Sequence, residues 1–172
     1  VAFTVMFWDD RHDTLNGLPY PGEIVLQGVQ DLYQNVNDLA NANSFPHGMT
    51  IRILIGVQFN RISIDPNTDQ RYSVLEELNK LNIPLYKVLP DGRIWKVEVG
   101  LYGLGANDTN VYSHVKLLVV DNNKMIVSGY MPTYPFRSVN NEADFHDLGI
   151  EVSGPIAANG MAIFDKLWEG SD

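Results

Sequence analysis

The run Met49-Thr-Ile-Arg-Ile-Leu-Ile-Gly-Val57 places apolar residues at 49, 51, 53 and 55, the two-residue period of a β-strand. Just upstream, Val25, Val29, Leu32, Val36 and Leu39 recur at spacings of four and three, which is one face of an amphipathic helix. A strand that follows such a helix needs an earlier strand to pair with. The opening run Val-Ala-Phe-Thr-Val-Met-Phe-Trp8 supplies one, and it is apolar enough to be buried on both faces. Strand, helix, strand is the start of an α/β layer structure.

The rest of the chain extends this order. Residues 9–22 are polar and rich in turn formers, ending Pro19-Tyr-Pro-Gly, and read as a loop, as do residues 60–69. Val74, Leu75, Leu78 and Leu81 mark a second helix, and strands are expected at 84–88, 95–101, 114–120, 125–127 and 148–152. Asp121-Asn-Asn-Lys124 has the polar centre of a tight hairpin. Pro155 suits the first turn of a final helix, whose stripe is Ala157, Met161, Phe164 and Trp168. The expected fold is one α/β domain over residues 1–172, a mixed β-sheet of more than five strands sandwiched between helices.

Composition sets outer bounds on function. Hydrophobic residues form 45% of the chain and charged residues 19%, a globular balance, and no apolar run is long enough to span a bilayer. Twelve Lys and Arg against 21 Asp and Glu give a net charge of −9, which argues against general electrostatic binding of nucleic acid. The absence of cysteine excludes disulfides, thiolate metal sites and cysteine nucleophiles. The chain opens directly on an apolar strand and stops soon after Trp168, so a fragment of a longer protein is expected.

Chemistry concentrates in Ser113-His-Val-Lys-Leu-Leu-Val-Val-Asp121. Along a strand, His114 and Lys116 point to one face, roughly 6.5–7 Å apart, while Val115, Leu117 and Val119 take the other. A histidine and a lysine side by side on an otherwise apolar strand cost desolvation unless something anionic meets them. Asp121 falls at the hairpin corner, where its carboxylate can hold backbone N–H groups or reach a neighbouring charge.

His114-x-Lys116-x4-Asp121 resembles the HKD motif of the phospholipase D superfamily. The setting is similar too: a hairpin, a second strand reaching Ser128-Gly129, then Phe145-His-Asp-Leu-Gly-Ile-Glu-Val-Ser-Gly-Pro155 and a helix ending Phe164-x3-Trp168. The likeness is sharpest from residue 113 to residue 168 and extends weakly to the opening elements. The resemblance implies a phosphodiesterase that needs no metal or other cofactor, with a phospholipid or related phosphodiester as its substrate. In such an enzyme one histidine attacks phosphorus to form a phosphohistidine, and a second histidine protonates the leaving alcohol. The catalytic residues it implies here are His114, Lys116 and Asp121. Ser128 and Gly129 would line the substrate, and Asp147 would orient the nucleophile.

Two copies of the motif face each other in this superfamily, and this chain has one. The resemblance therefore implies a second HKD lobe, either in the same longer chain or in a symmetric homodimer. One position departs from the pattern: the family usually has Asn where Met131 stands, and a thioether cannot replace an amide hydrogen bond. A catalytically silent lobe, kept for binding or structural pairing, is thus the rival reading. A homodimeric single-motif nuclease is another, with the charge of −9 against it. Peripheral membrane contact stays open.

Other features have plainer readings. Asp9-Asp-Arg-His-Asp13 contains metal-ligating residue types, but irregular spacing in a loop favours simple solvation. His146 is read as loop or rim, and His12 and His47 as surface. Asn107-Asp-Thr109 fits the glycosylation acceptor pattern, which recurs by chance. Trp8, Tyr130 and Tyr134 suit either a substrate cleft or ordinary packing.

Overall fold

The computed structural model describes residues 1–5, 8, 21–56, 70–102, 113–129 and 148–171. Seven strands form one mixed sheet: β1 (Ala2–Val5), β2 (Gly48–Gly56), β3 (Tyr86–Val88), β4 (Ile94–Tyr102), β5 (Leu117–Val120), β6 (Lys124–Ser128) and β7 (Gly149–Ser153). Their order across the sheet is β3-β4-β2-β1-β5-β6-β7. β1, β2 and β4 are parallel, and every other pairing is antiparallel. Among the described residues three α-helices complete the fold: α1 (Pro21–Asn37), α2 (Gln70–Lys80) and α3 (Ile156–Glu169). None of them is long and apolar enough to cross a membrane.

The expected α/β architecture is the observed one. Pairing Val5 with Ile55 and Ile55 with Leu101 aligns the carboxyl ends of β1, β2 and β4 along one edge of the sheet. On one face, Leu26, Val29 and Val36 of α1 and Val74 and Leu78 of α2 close over Val5, Ile51, Ile53, Ile55, Trp95 and Val97. On the other, Phe164 of α3 packs on Ala2, Leu54, Leu117 and Val119. Burying each such large side chain contributes on the order of 1.5–3 kcal/mol. Trp8 belongs to the first core, at 3% exposure, and so is packing rather than cleft lining.

Two details of the helix stripes differ from the sequence reading. Leu26 is fully buried although the spacing passed over it, and Leu39 is 59% exposed. α1 ends at Asn37, and Asp38 caps a short 3₁₀ turn (Leu39–Asn41) by accepting from the Ala40 N–H at 2.9 Å. The tighter 3₁₀ rotation carries Leu39 off the apolar face. In α3 the stripe includes Gly160, where a Cβ would collide with the Met125 sulfur, so the helix lies close on β6.

Two polar side chains beside the first core find partners. Trp95 is fully buried, and its indole N–H donates to the Pro84 carbonyl at 2.8 Å. Lys87 donates to the Tyr33 hydroxyl at 2.8 Å and to Asn37 Oδ1 at 3.1 Å, tying the edge strand β3 to α1.

Candidate functional site

Strand β1 ends at Val5 and β5 begins at Leu117, opposite Thr4. The expected strand over 114–120 is therefore shorter at its start. Residues 113–116 lie at the carboxyl edge of the parallel strands, just before the first described pair of β5 with β1. On the other side the ladder continues, with the Ser128 N–H donating to the Lys116 carbonyl at 3.3 Å. In open α/β sheets, ligands bind outside the carboxyl ends of the strands.

His114 and Lys116 come together there. The Lys116 ammonium is 3.0 Å from His114 Nδ1, 3.3 Å from Nε2, and donates to the His114 carbonyl at 3.0 Å. Near-equal separations from both ring nitrogens place the cation over the N–C–N side of the ring rather than along either lone pair. His114 is exposed and Lys116 is 6% exposed, so an open imidazole stands over a largely buried cation. Alternation also holds: Leu117 and Val119 are buried under α3, with Val115 packed against them.

The neighbouring strands extend the site sideways. Register places Ser128 across from Lys116 and Gly149 across from Ser128, so these three residues follow one another at the same level of the sheet. Gly149 leaves room beside Ser128, since a Cβ there would stand 3.2 Å from Ser128 Cβ. Gly129 follows directly at the end of β6. An exposed nucleophile type, a buried cation and a hydroxyl at one sheet edge can take up a tetrahedral oxyanion.

Asp121 does not join them. It stands at the far end of β5, roughly 20 Å along the strand from His114. Its φ of +50°, followed by +55° at Asn122, and the Asn123 N–H donating to the Val120 carbonyl at 3.0 Å define a type I′ hairpin turn. It lines a cavity of about 400 Å³ with Val1, Phe45, His47, Gly48 and Thr50. The structure therefore places Asp121 in the hairpin turn and does not bring it together with His114 and Lys116, because a strand carries its two ends apart. His47 shares that far edge and is exposed, as its sequence reading expects.

Asp147, Met131, Tyr130, Tyr134, His12, His146, residues 9–13 and residues 107–109 lie outside the described residues. Gly56 and Ser113 are contributors to the site that the sequence reading assigned no part. A glycine closing a strongly apolar strand is itself a signal of close backbone approach. No family model matches the chain, and a search of curated proteins returns no match.

Proposed function

We propose that this chain is one lobe of a phospholipase D-like phosphodiesterase, acting on a phospholipid or related phosphodiester through a phosphohistidine. The observation that supports it is the convergence of His114 and Lys116, 3.0 Å apart, at the carboxyl edge of the parallel strands. In this reading an imidazole nitrogen of His114 attacks phosphorus and the P–O bond to the leaving alcohol breaks. The leaving oxygen takes its proton from a general acid on a second lobe. Water, or an acceptor alcohol, then attacks the phosphohistidine and restores the imidazole. Lys116 neutralises phosphoryl oxygens as charge builds, with Ser128 and Gly129 beside them. Asp147 is the acid proposed to orient His114.

The second lobe belongs either to the same longer chain or to a homodimer. General acid catalysis is typically worth ~10²–10⁴ in rate, so the 172-residue chain alone should be nearly inert. A silent, binding lobe is the second reading, and Met131 at the position of the family's amide is the observation that favours it.

The test is hydrolysis and alcohol exchange of a short-chain phosphatidylcholine in chelator, for the lobe alone, the full-length protein and the dimer. In the active form, His114→Ala should abolish turnover. Lys116→Ala should lower kcat more than it raises KM. Full turnover by a monomeric lobe, or an unaffected His114→Ala enzyme, would place the chemistry elsewhere. Phosphate binding without turnover in every form would leave the silent lobe.

A further inference from the structure

We infer that Gly56 and Ser113 form a backbone seat that positions His114, so that the carboxyl end of β2 sets where the imidazole stands. The inference rests on the reading of His114 as the reacting group. Three observations meet at this point. Gly56 is buried as the last residue of β2, and a Cβ built on it would collide with the Ser113 carbonyl oxygen, 3.0 Å from the carbonyl carbon and 3.3 Å from Ser113 Cβ. The atoms it would strike are backbone or Cβ, which cannot swing aside as the end of a long side chain does. Ser113 is 4% exposed, and its hydroxyl accepts from the Val115 N–H at 3.4 Å. That hydroxyl spans the His114 peptide unit and turns it.

Among the described residues the ladder between β1 and β5 begins at the pair Thr4–Leu117, three positions after His114. Lys116 is held on one side by the Ser128 N–H at 3.3 Å. Gly56 and the Ser113 turn supply the other side. Gly56 and Ser113 are positioning residues, acting through the backbone of His114 without themselves reaching a substrate.

Gly56→Ala should shift the segment by enough to misplace the imidazole. Displacement of a reacting group by about 1 Å costs on the order of 10²-fold in rate. The expected outcome is a kcat about 10²-fold lower with KM within about twofold, because the cation under the ring is still present. Ser113→Ala should give a smaller loss, and Ser113→Thr should restore most of it by returning a hydroxyl. Gly28→Ala is the control: a Cβ there meets nothing within 4 Å.

A second readout does not depend on turnover. The full chain, labelled with ¹³C-histidine and assigned with His114→Gln, reports each imidazole separately by NMR. The His114 ring resonances should move in Gly56→Ala and Ser113→Ala and return in Ser113→Thr, while those of His47 stay in place. Ser113→Ala removes atoms and introduces no clash, so it keeps the test open if Gly56→Ala fails to fold. His114 resonances that coincide with wild type in both Gly56→Ala and Ser113→Ala would overturn the seat. Inorganic phosphate added to the wild type separates the two readings. If it moves no His114 resonance, the phosphodiester reading fails, while the seat is still judged from the variants.

Discussion

Replacing Phe164 by Ala should unfold the protein far more readily than any change on the exposed side of α3. The ring is fully buried at the centre of the second core, against Ala2, Leu54, Leu117 and Val119. It stacks on Trp168 at a centroid separation of 5.7 Å, and the Arg52 guanidinium lies 4.9 Å above it. Phe→Ala in such a site costs about 3–5 kcal/mol, the transfer of the ring plus the cavity it leaves. Arg52 keeps its 2.7 Å ion pair with Asp165, so the cation–π contact adds only a minor part. For a chain of this length, each kcal/mol moves Tm by roughly 2–4 °C, so a fall of roughly 6–20 °C is expected. Ile163, the preceding residue of the helix, is 53% exposed, and Ile163→Ala should cost no more than about 0.5 kcal/mol. Urea unfolding followed by far-UV circular dichroism measures both. A Phe164→Ala loss below about 1 kcal/mol, or equal losses for the two variants, would refute α3 as the cover of that face.

Three further outcomes are expected. Asp121→Asn should leave stability within about 0.5 kcal/mol, because Asn tolerates the left-handed backbone, whereas Asp121→Val should cost about 1–2 kcal/mol in urea unfolding. Any loss of phosphodiester turnover in these two should follow the loss of folded protein, since Asp121 stands far from His114. Acid should weaken the β3–β4 turn: burial pushes the Asp91 carboxyl up, but hydrogen bonds from the Arg93 side chain at 2.6 Å and backbone N–H at 3.2 Å, with the guanidinium charge, leave it below its ordinary value. A depressed carboxyl stabilises the fold above the ordinary value near 4 and loses that contribution as pH falls through the lower, folded value. The Tm gap between wild type and Asp91→Asn should therefore be constant above about pH 5 and close below it, and a gap that widens in acid would contradict this ion pair.

Patterns of period two and 3.6 were enough to place β1, β2, β4, β6, β7 and all three helices to within a few residues, and with them the layered α/β architecture. These elements are read easily because burial on a sheet or helix repeats with the backbone geometry itself. The pairing of His114 with Lys116 was legible for the same reason: residues two apart on extended backbone share a face. Other features depended on neighbours distant in the chain. Leu39 leaves the core because a 3₁₀ turn ends the helix, a choice between competing hydrogen bonds that spacing does not reveal, and Leu26 enters it one turn before Val29 on the same face. Asp121 stands one position past the last pair of a short strand, Val120 with Lys124, and only the strand's direction shows that it lies away from His114.

The sequence alone determined which residues could be apolar faces, where the hairpin turns, and that one histidine and one lysine would share a face. Tertiary structure decided the rest. It set the backbone at Ser113 against Gly56, the glycine that closes β2. Local propensity is a property of neighbours along the chain, whereas the edge at which three parallel strands end is a property of their register. That register follows from packing both faces of the sheet at once.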